Sequence, residues 1–429
     1  MASTYLKRTN GTPTNDKIGT ISVWFKRSKL GSDQRIHMNF ADSSNYGYMK
    51  LHGDNYFHVV GVSSGSESTH VKTNRLFRDT NAWYHLVVAI DTTQATASDR
   101  TKFYINGVQE TSLAQSDYPS QNLAHPLLIA SGSNYHTVGS AENGTVSFDG
   151  SMSHFHKCDG TALAPTVFGS TDSTTGEWKI NTSPSFTVGN TGYTILKDGN
   201  TITDQSSNSN DFTLGGGTLT KTEDNPSNVF ATLNPLIAVN GSSSYIHGNT
   251  KVESTSSSWS ASAGTLGFTE GKFYWEIKGI NEAQSMFGVG EASINMNDAN
   301  PQDLTGTTLF YNNAGGEMRK DGTNTSADYG TFGSTDVMGI ACNMDDKQIT
   351  IYKNGSAIVT NYALSTSIVT CIPFNSLLDS GAIGIFNFGN GYFGTTAVAS
   401  AGTNASGIGI FEYDVPTGYT ALSTKGLNL

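Results

Sequence analysis

The sequence predicts an all-β protein: two β-sandwich (jelly-roll) domains in tandem, with a short β-rich connector between them. Three observations carry this reading. Apolar and polar residues alternate with a period of two in both halves, and no helix-length stretch keeps a period of 3.6. Asn-Gly and Asp-Gly pairs follow the strand-like runs, where a chain that must reverse needs positive φ. The 429 residues include 47 glycines and are 10% aromatic but only 14% charged, the balance of turn-rich β folds rather than of helical bundles or disordered chains.

Along the chain, Ile21-Ser-Val-Trp-Phe-Lys-Arg places Ile21, Val23 and Phe25 on one face. Trp83-Tyr-His-Leu-Val-Val-Ala-Ile90 is apolar on both faces, as a strand covered on both sides would be. Lys102-Phe-Tyr-Ile-Asn-Gly-Val108 reads as a strand running into a hairpin turn at Asn106-Gly107. Gln348-Ile-Thr-Ile-Tyr-Lys-Asn-Gly-Ser356 repeats the device, and Lys197-Asp-Gly-Asn200 supplies a third turn. In Lys272-Phe-Tyr-Trp-Glu-Ile-Lys278, Phe273, Trp275 and Ile277 are expected inside, with Tyr274 and Glu276 outside. Val337-Met-Gly-Ile-Ala-Cys342 and Ala382-Ile-Gly-Ile-Phe-Asn-Phe388 read as further strands.

Polar breaks divide the chain into a first sandwich at 1–170, a connector at 171–236 and a second sandwich at 237–429. The connector is expected to pack on the first domain through Tyr193, Ile195, Phe212 and Leu214. A net charge of −11 with no cluster of Lys or Arg argues against nucleic acid as a partner. No apolar run approaches the ~18 residues of a membrane span, so no membrane insertion is expected. The start, Met1-Ala-Ser-Thr-Tyr-Leu-Lys-Arg, lacks the apolar core of a secretory signal, and three cysteines make no disulfide framework.

Known site chemistries find little purchase. Glycosidases need two convergent carboxylates, and no Glu-x-Asp-x-x-Glu run occurs. No nucleotide loop is present, since Gly215-Gly-Gly217 and Gly288-Val-Gly290 lack the strand–loop–helix context and the phosphate lysine. His154-Phe-His-Lys-Cys158 offers three alternate metal-type side chains, but along a strand they span ~13 Å, so a structural strand is expected there. Asp42, Asp54, Asp91 and Asp99 lie in loop-like stretches without calcium-loop spacing, and Asx turns account for them. No cofactor and no enzymatic activity are expected.

Several runs in the first ~170 residues resemble the laminin-G-like, concanavalin A-like jelly roll found in bacteriophage structural proteins. They are Ile21-Ser-Val-Trp-Phe-Lys-Arg-Ser, Phe77-Arg-Asp-Thr-Asn-Ala-Trp-Tyr-His85, Ala89-Ile-Asp through Lys102-Phe-Tyr-Ile-Asn-Gly107, and Phe148-Asp-Gly150 leading to Asp159-Gly-Thr-Ala-Leu163. Asn208-Ser-Asn-Asp-Phe-Thr213 looks like the end of the same module. The second half resembles a SPRY domain in Gly271-Lys-Phe-Tyr-Trp-Glu-Ile277, Phe287-Gly-Val-Gly290, Asp336-Val-Met-Gly-Ile-Ala-Cys342 and Ile349-Thr-Ile-Tyr-Lys-Asn-Gly355. The resemblances imply two binding sandwiches on a phage virion, assembled in host cytoplasm. Calcium is common in the broad laminin-G family, yet nothing in this sequence supports it.

A binding protein of this kind reads sugars or surface proteins with aromatic faces. Candidates are Tyr46 and Tyr48 in Asn45-Tyr-Gly-Tyr48, Tyr56 in Asn55-Tyr-Phe57, Trp259, and Tyr311 in Leu309-Phe-Tyr-Asn-Asn313, with Arg319 and Asp321 in the same segment. That segment, 295–332, shows few strand signals and is expected to be a long recognition loop. The expected role is a host-surface adhesin, a tail-fibre or spike component binding glycan or surface protein beside other virion proteins, as a homo-oligomer and by family habit a trimer. The alternative is a capsid decoration or head-fibre protein, favoured by a sandwich that begins almost at residue 1.

Overall fold

The computed structural model describes residues 3–429 apart from 131–134, 200, 238, 240, 279–283, 299, 313–314 and 326. Strands dominate, and the only helical pieces among the described residues are three-residue 3-10 turns. The chain divides into two compact units, 1–221 and 222–429. The division falls inside the segment that reads as a connector: 171–221 belong with the first unit and 222–236 with the second.

In the first unit an eight-stranded antiparallel sheet runs in the order Leu113–Asp117, Ser66–Leu76, Tyr56–Ser63, Asn45–Leu51, Gln34–Asp42, His136–Val138, Tyr5–Arg8, Thr213–Gly216. It faces a six-stranded sheet ordered Tyr193–Ile195, Gly150–Asp159, Ile18–Arg27, Tyr84–Asp91, Thr101–Ile105, Val108–Gln109. Ile21, Val23 and Phe25 from one sheet meet Met49, Leu51, Phe57 and Val59 from the other in a single core. The alternation seen in the sequence is the alternation of these inner faces.

The outer face of the six-stranded sheet is covered as well. His85 stacks between Trp24 (4.7 Å) and Trp178 (6.0 Å), and Phe168 and Phe186 pack on His156. This explains why Tyr84–Asp91 is apolar on both sides. Tyr193, Ile195 and Phe212 are buried as expected, but Leu214 is 43% exposed because it lies on the edge strand of the larger sheet.

The strand Gly150–Asp159 carries a bulge between Ser153 and His156, with His154 at φ 47°. His154 Nδ1 meets the Ser153 hydroxyl (2.7 Å), His156 bonds Thr194 (2.9 Å) and the Cys158 thiol reaches the Thr161 carbonyl (3.2 Å), so the three side chains serve separate structural contacts. Phe155 and Lys157 point the other way, into the sandwich. Lys157 and Tyr193 are direct cross-strand partners, both fully buried, and neither Nζ nor the phenol oxygen has a hydrogen-bond partner. Burial pushes the Lys157 ammonium down to about 8.

The second unit repeats the plan. Its larger sheet runs Ser243–Ile246, Lys251–Ser254, Ile383–Asn387, Lys272–Lys278, Val337–Asn343, Gln348–Lys353, Ser356–Ala363, with Thr420–Ala421 added in parallel to Lys272–Lys278. The other runs Ser260–Ala263, Cys371–Leu377, Ser285–Glu291, Thr307–Asn312, Glu317–Lys320, Thr323–Asn324. Phe273, Trp275 and Ile277 face the core. Tyr274 and Glu276 are not outside: they are 1% and 0% exposed beneath a cluster containing Phe411, Val415 and Ala421. The Glu276 carboxylate accepts the backbone N–H of Glu412 (2.8 Å) and Tyr413 (2.9 Å) and the Asn387 amide (3.2 Å), and burial pushes its carboxyl up to about 7.

Both Asn-Gly turns form as expected, with φ 48° and 80° at Asn106-Gly107 and 49° and 79° at Asn354-Gly355. Each Asn side chain accepts a backbone N–H at the start of the strand beside it, from His85 (2.8 Å) and from Val337 (2.9 Å). The Lys197-Asp-Gly turn also forms, while Asn200 lies outside the described residues.

Candidate functional site

The outer face of the eight-stranded sheet in the first unit gathers three of the predicted residues. In Asn45–Leu51, Met49 and Leu51 go to the core, which turns Tyr46, Tyr48 and Lys50 outward. Gly47, between the tyrosines, has no side chain because Pro126 and Leu127 lie against the inner surface there, and a Cβ would fall 2.8 Å from Leu127 N. Tyr46 and Tyr48 are stacked nearly parallel (6.3 Å, 11°), and Phe40 continues the row at 6.2 Å. The Arg35 guanidinium lies over the Tyr48 ring at 3.2 Å, its Nε and Nη1 without hydrogen-bond partners. Burial lowers the Arg35 pKa, while its cationic form faces the π surface.

Tyr56 sits further along the same face, beneath the Lys72 ammonium at 4.2 Å. Between the two tyrosine sites lies a polar group drawn from three strands and a turn. Lys50, His58 and Lys72 are neighbours across Asn45–Leu51, Tyr56–Ser63 and Ser66–Leu76. Lys50 pairs with Asp33 (2.8 Å) and Lys72 with Asp54 (3.2 Å). Both ions are partly exposed, so their value lies in placement rather than stability. Burial, aided by Lys50 and the surrounding cations, holds His58 down at about 3, so it is neutral.

The remaining candidates belong to the second unit. Trp259 and Tyr311 meet edge to face at 6.2 Å over Met286 and Leu309. Arg319 is cross-strand partner of Leu309, ion-paired to Asp303 and hydrogen-bonded to Asn324. Asp321 is a turn residue at φ 50° whose carboxylate accepts the Gly306 N–H (2.7 Å). The stretch 295–332 is not one long loop: it contains Thr307–Asn312, Glu317–Lys320 and Thr323–Asn324, paired in one sheet. Phe310 is core, and Asn313 lies outside the described residues.

Sequence reasoning missed Arg35, His52, His58 and His70. Their signal was faint: Arg35, His58 and His70 lie in three separate strands and His52 in a turn, and they are brought to one face only once the register is fixed.

Residues 2–167 match the Laminin_G_3 family, described as the concanavalin A-like lectin/glucanases superfamily. Among solved structures, the chain is similar to the SPRY domain of human HERC1, with 16% identity over 32% of this chain and 87% of that one and a TM-score of 0.28. It is also similar to the TRIM65 PSpry domain, with 14% identity over 37% of this chain and 91% of that one and a TM-score of 0.31. No curated protein matches the chain.

Proposed function

We propose that the protein is a non-enzymatic bacteriophage virion protein, an adhesin of the tail fibre or spike type, whose first unit binds a host-surface glycan. The observation that carries this is the Tyr46–Tyr48 stack on an outer sheet face, flanked by Arg35 and Lys50. Sugar rings present C–H groups to aromatic faces while their hydroxyls seek polar neighbours, and this row offers both. The family matched by residues 2–167 includes lectins by its description. The second unit, with its SPRY-like sequence motifs, is assigned a protein-facing contact, to another virion protein or a host surface protein. Weak single-site affinity would be raised by several copies per particle, a trimer being the family expectation.

The test is a glycan array probed with the full chain, then titration of each positive glycan against Tyr48→Ala and Tyr46→Ala. Loss of about tenfold in affinity, the scale of one stacking contact, is expected from each variant with unfolding unchanged. Binding untouched by both variants overturns the assignment to this face. No binding to any glycan overturns the glycan reading. Cryo-electron microscopy placing the chain on capsid symmetry positions would make it a decoration protein instead.

A further inference from the structure

Beside the tyrosine row, the turn that joins Asn45–Leu51 to Tyr56–Ser63 brings His52, Asp54 and His58 together, with one potential ligand atom from each lying within 4.8 Å of the others. The turn is held from behind. Asn55, at φ 71°, takes a hydrogen bond from the buried Arg27 guanidinium (3.0 Å), which also donates to the Phe77 carbonyl (2.9 Å). Its ends close through His52 N to Tyr56 O (2.9 Å) and Asn55 N to His52 O (2.8 Å). His52 and Asp54 therefore project from a fixed platform, their side chains 39% and 38% exposed and open to an ion arriving from solvent.

His58 supplies the second, independent observation. It is only 5% exposed, and its Nε2 is buried without a hydrogen-bond partner. Its other nitrogen is committed: Nδ1 lies 3.0 Å from His70 Nε2, and His70 Nδ1 lies 3.1 Å from the Glu67 carboxylate. Glu67 thus holds His70, and His70 occupies His58 Nδ1, so that Nε2 is the one His58 nitrogen without a partner. The His52 ring stands 5.2 Å from the His58 ring, centroid to centroid. A buried ring nitrogen without a partner costs free energy, and an imidazole whose other nitrogen is held by a hydrogen-bonded neighbour is the kind of arrangement that orients histidine ligands around metals.

We propose that His52, Asp54 and His58 form a binding site for a borderline divalent transition-metal ion of the zinc class, oriented by the Glu67–His70–His58 relay. Imidazole and carboxylate ligands suit such an ion at about 2.0–2.2 Å. His52 Nδ1 and an Asp54 oxygen already stand 2.7 Å apart, and Asp33, 3.5 Å from His52 Nε2, supports the ring from the other side. The charges around the site include Lys50 and Lys72, each already paired with Asp33 or Asp54. The inference does not depend on the glycan reading, and either can fail alone.

The test uses the full chain, made without a histidine tag and stripped with chelator, titrated with Zn2+ by calorimetry and with Co2+ by visible absorption. One Zn2+ per chain and a Co2+ ligand-field spectrum are expected. His52→Ala and Asp54→Asn, both at exposed side chains, should each weaken Zn2+ binding at least tenfold. Glu67→Gln, which touches no metal, should weaken it by roughly 10-fold through the relay, within the 10- to 100-fold scale of outer-shell ligands. Asp99→Asn, on a remote turn, should change nothing. No saturable Zn2+ binding, or binding that His52→Ala and Asp54→Asn leave intact, overturns the site. His58→Ala is informative where it folds; the two exposed variants decide the matter where it does not.

Discussion

Glu276 and Lys157 show how single ionisable side chains set the behaviour of each unit. Burial raises the Glu276 carboxyl from 4.5 to about 7, so the folded protein holds this proton more tightly than the unfolded chain. The stability that follows is fully present below about 4.5 and is lost as the pH rises through about 7, amounting to about 3 kcal/mol. Denaturant unfolding of the second unit should therefore weaken between pH 5 and pH 8, and Glu276→Gln should flatten that slope even where it lowers stability overall. Lys157 is the converse case in the first unit, an amine with no hydrogen-bond partner in an interior it shares with the buried His37, His136 and Tyr193. Lys157→Met should raise the stability of the first unit at neutral pH by about 1–3 kcal/mol, read as a shift in its thermal unfolding. Neither effect was legible in the sequence. Glu276 alternates with core residues as a surface residue would, and the segment that covers it arrives from 411–421. Lys157 changes face because of a bulge at His154 that no period-two count detects.

At the level of elements, what was legible was local. The Asn-Gly pairs identified both hairpins because the turn geometry needs only those two residues. What the glycines do beyond the turn was not legible. Trp178 packs directly over Gly107, and Tyr413 over Gly355, where an added Cβ would fall 2.7 Å from the Tyr413 ring. Gly107→Ala and Gly355→Ala should each cost more than the ~1 kcal/mol expected of positive φ alone, because a packed aromatic ring must also move. Chemical denaturation of each variant in the Trp178→Ala and Tyr413→Ala backgrounds respectively, where the ring is gone and the positive φ remains, separates the two contributions. The tyrosine row was half legible: Tyr46 and Tyr48 stand out in the sequence, but Arg35 reaches Tyr48 from the neighbouring strand across a register shift. In the second unit the strands within 295–332 are faint in the sequence because two of them are short: Glu317–Lys320 is apolar only at Met318 and Thr323–Asn324 has two residues, so Leu309-Phe-Tyr311 in Thr307–Asn312 stands without a recognisable partner strand.

For the whole molecule, the two sandwiches were legible and their border was not. The first unit recruits Tyr193–Ile195 to one sheet and Thr213–Gly216 to the other, so its architecture finishes well past residue 170. A chain ending at residue 221 should fold cooperatively, whereas one ending at residue 170 should expose core surface and bind a hydrophobic dye, with circular dichroism and calorimetry as the readouts. Each unit is also closed by its own ends, with Thr213 bonding Lys7 across 206 residues and Val229 bonding Thr424 across 195. In the first unit the chain enters at Tyr5 and leaves at Gly216, which are paired at the same end of one antiparallel ladder. Tension applied along the polypeptide therefore loads those bonds one after another, as in opening a zipper, instead of shearing them together. Force should first peel the edge strand Thr213–Gly216 from Tyr5–Arg8, which keeps its other neighbour, His136–Val138.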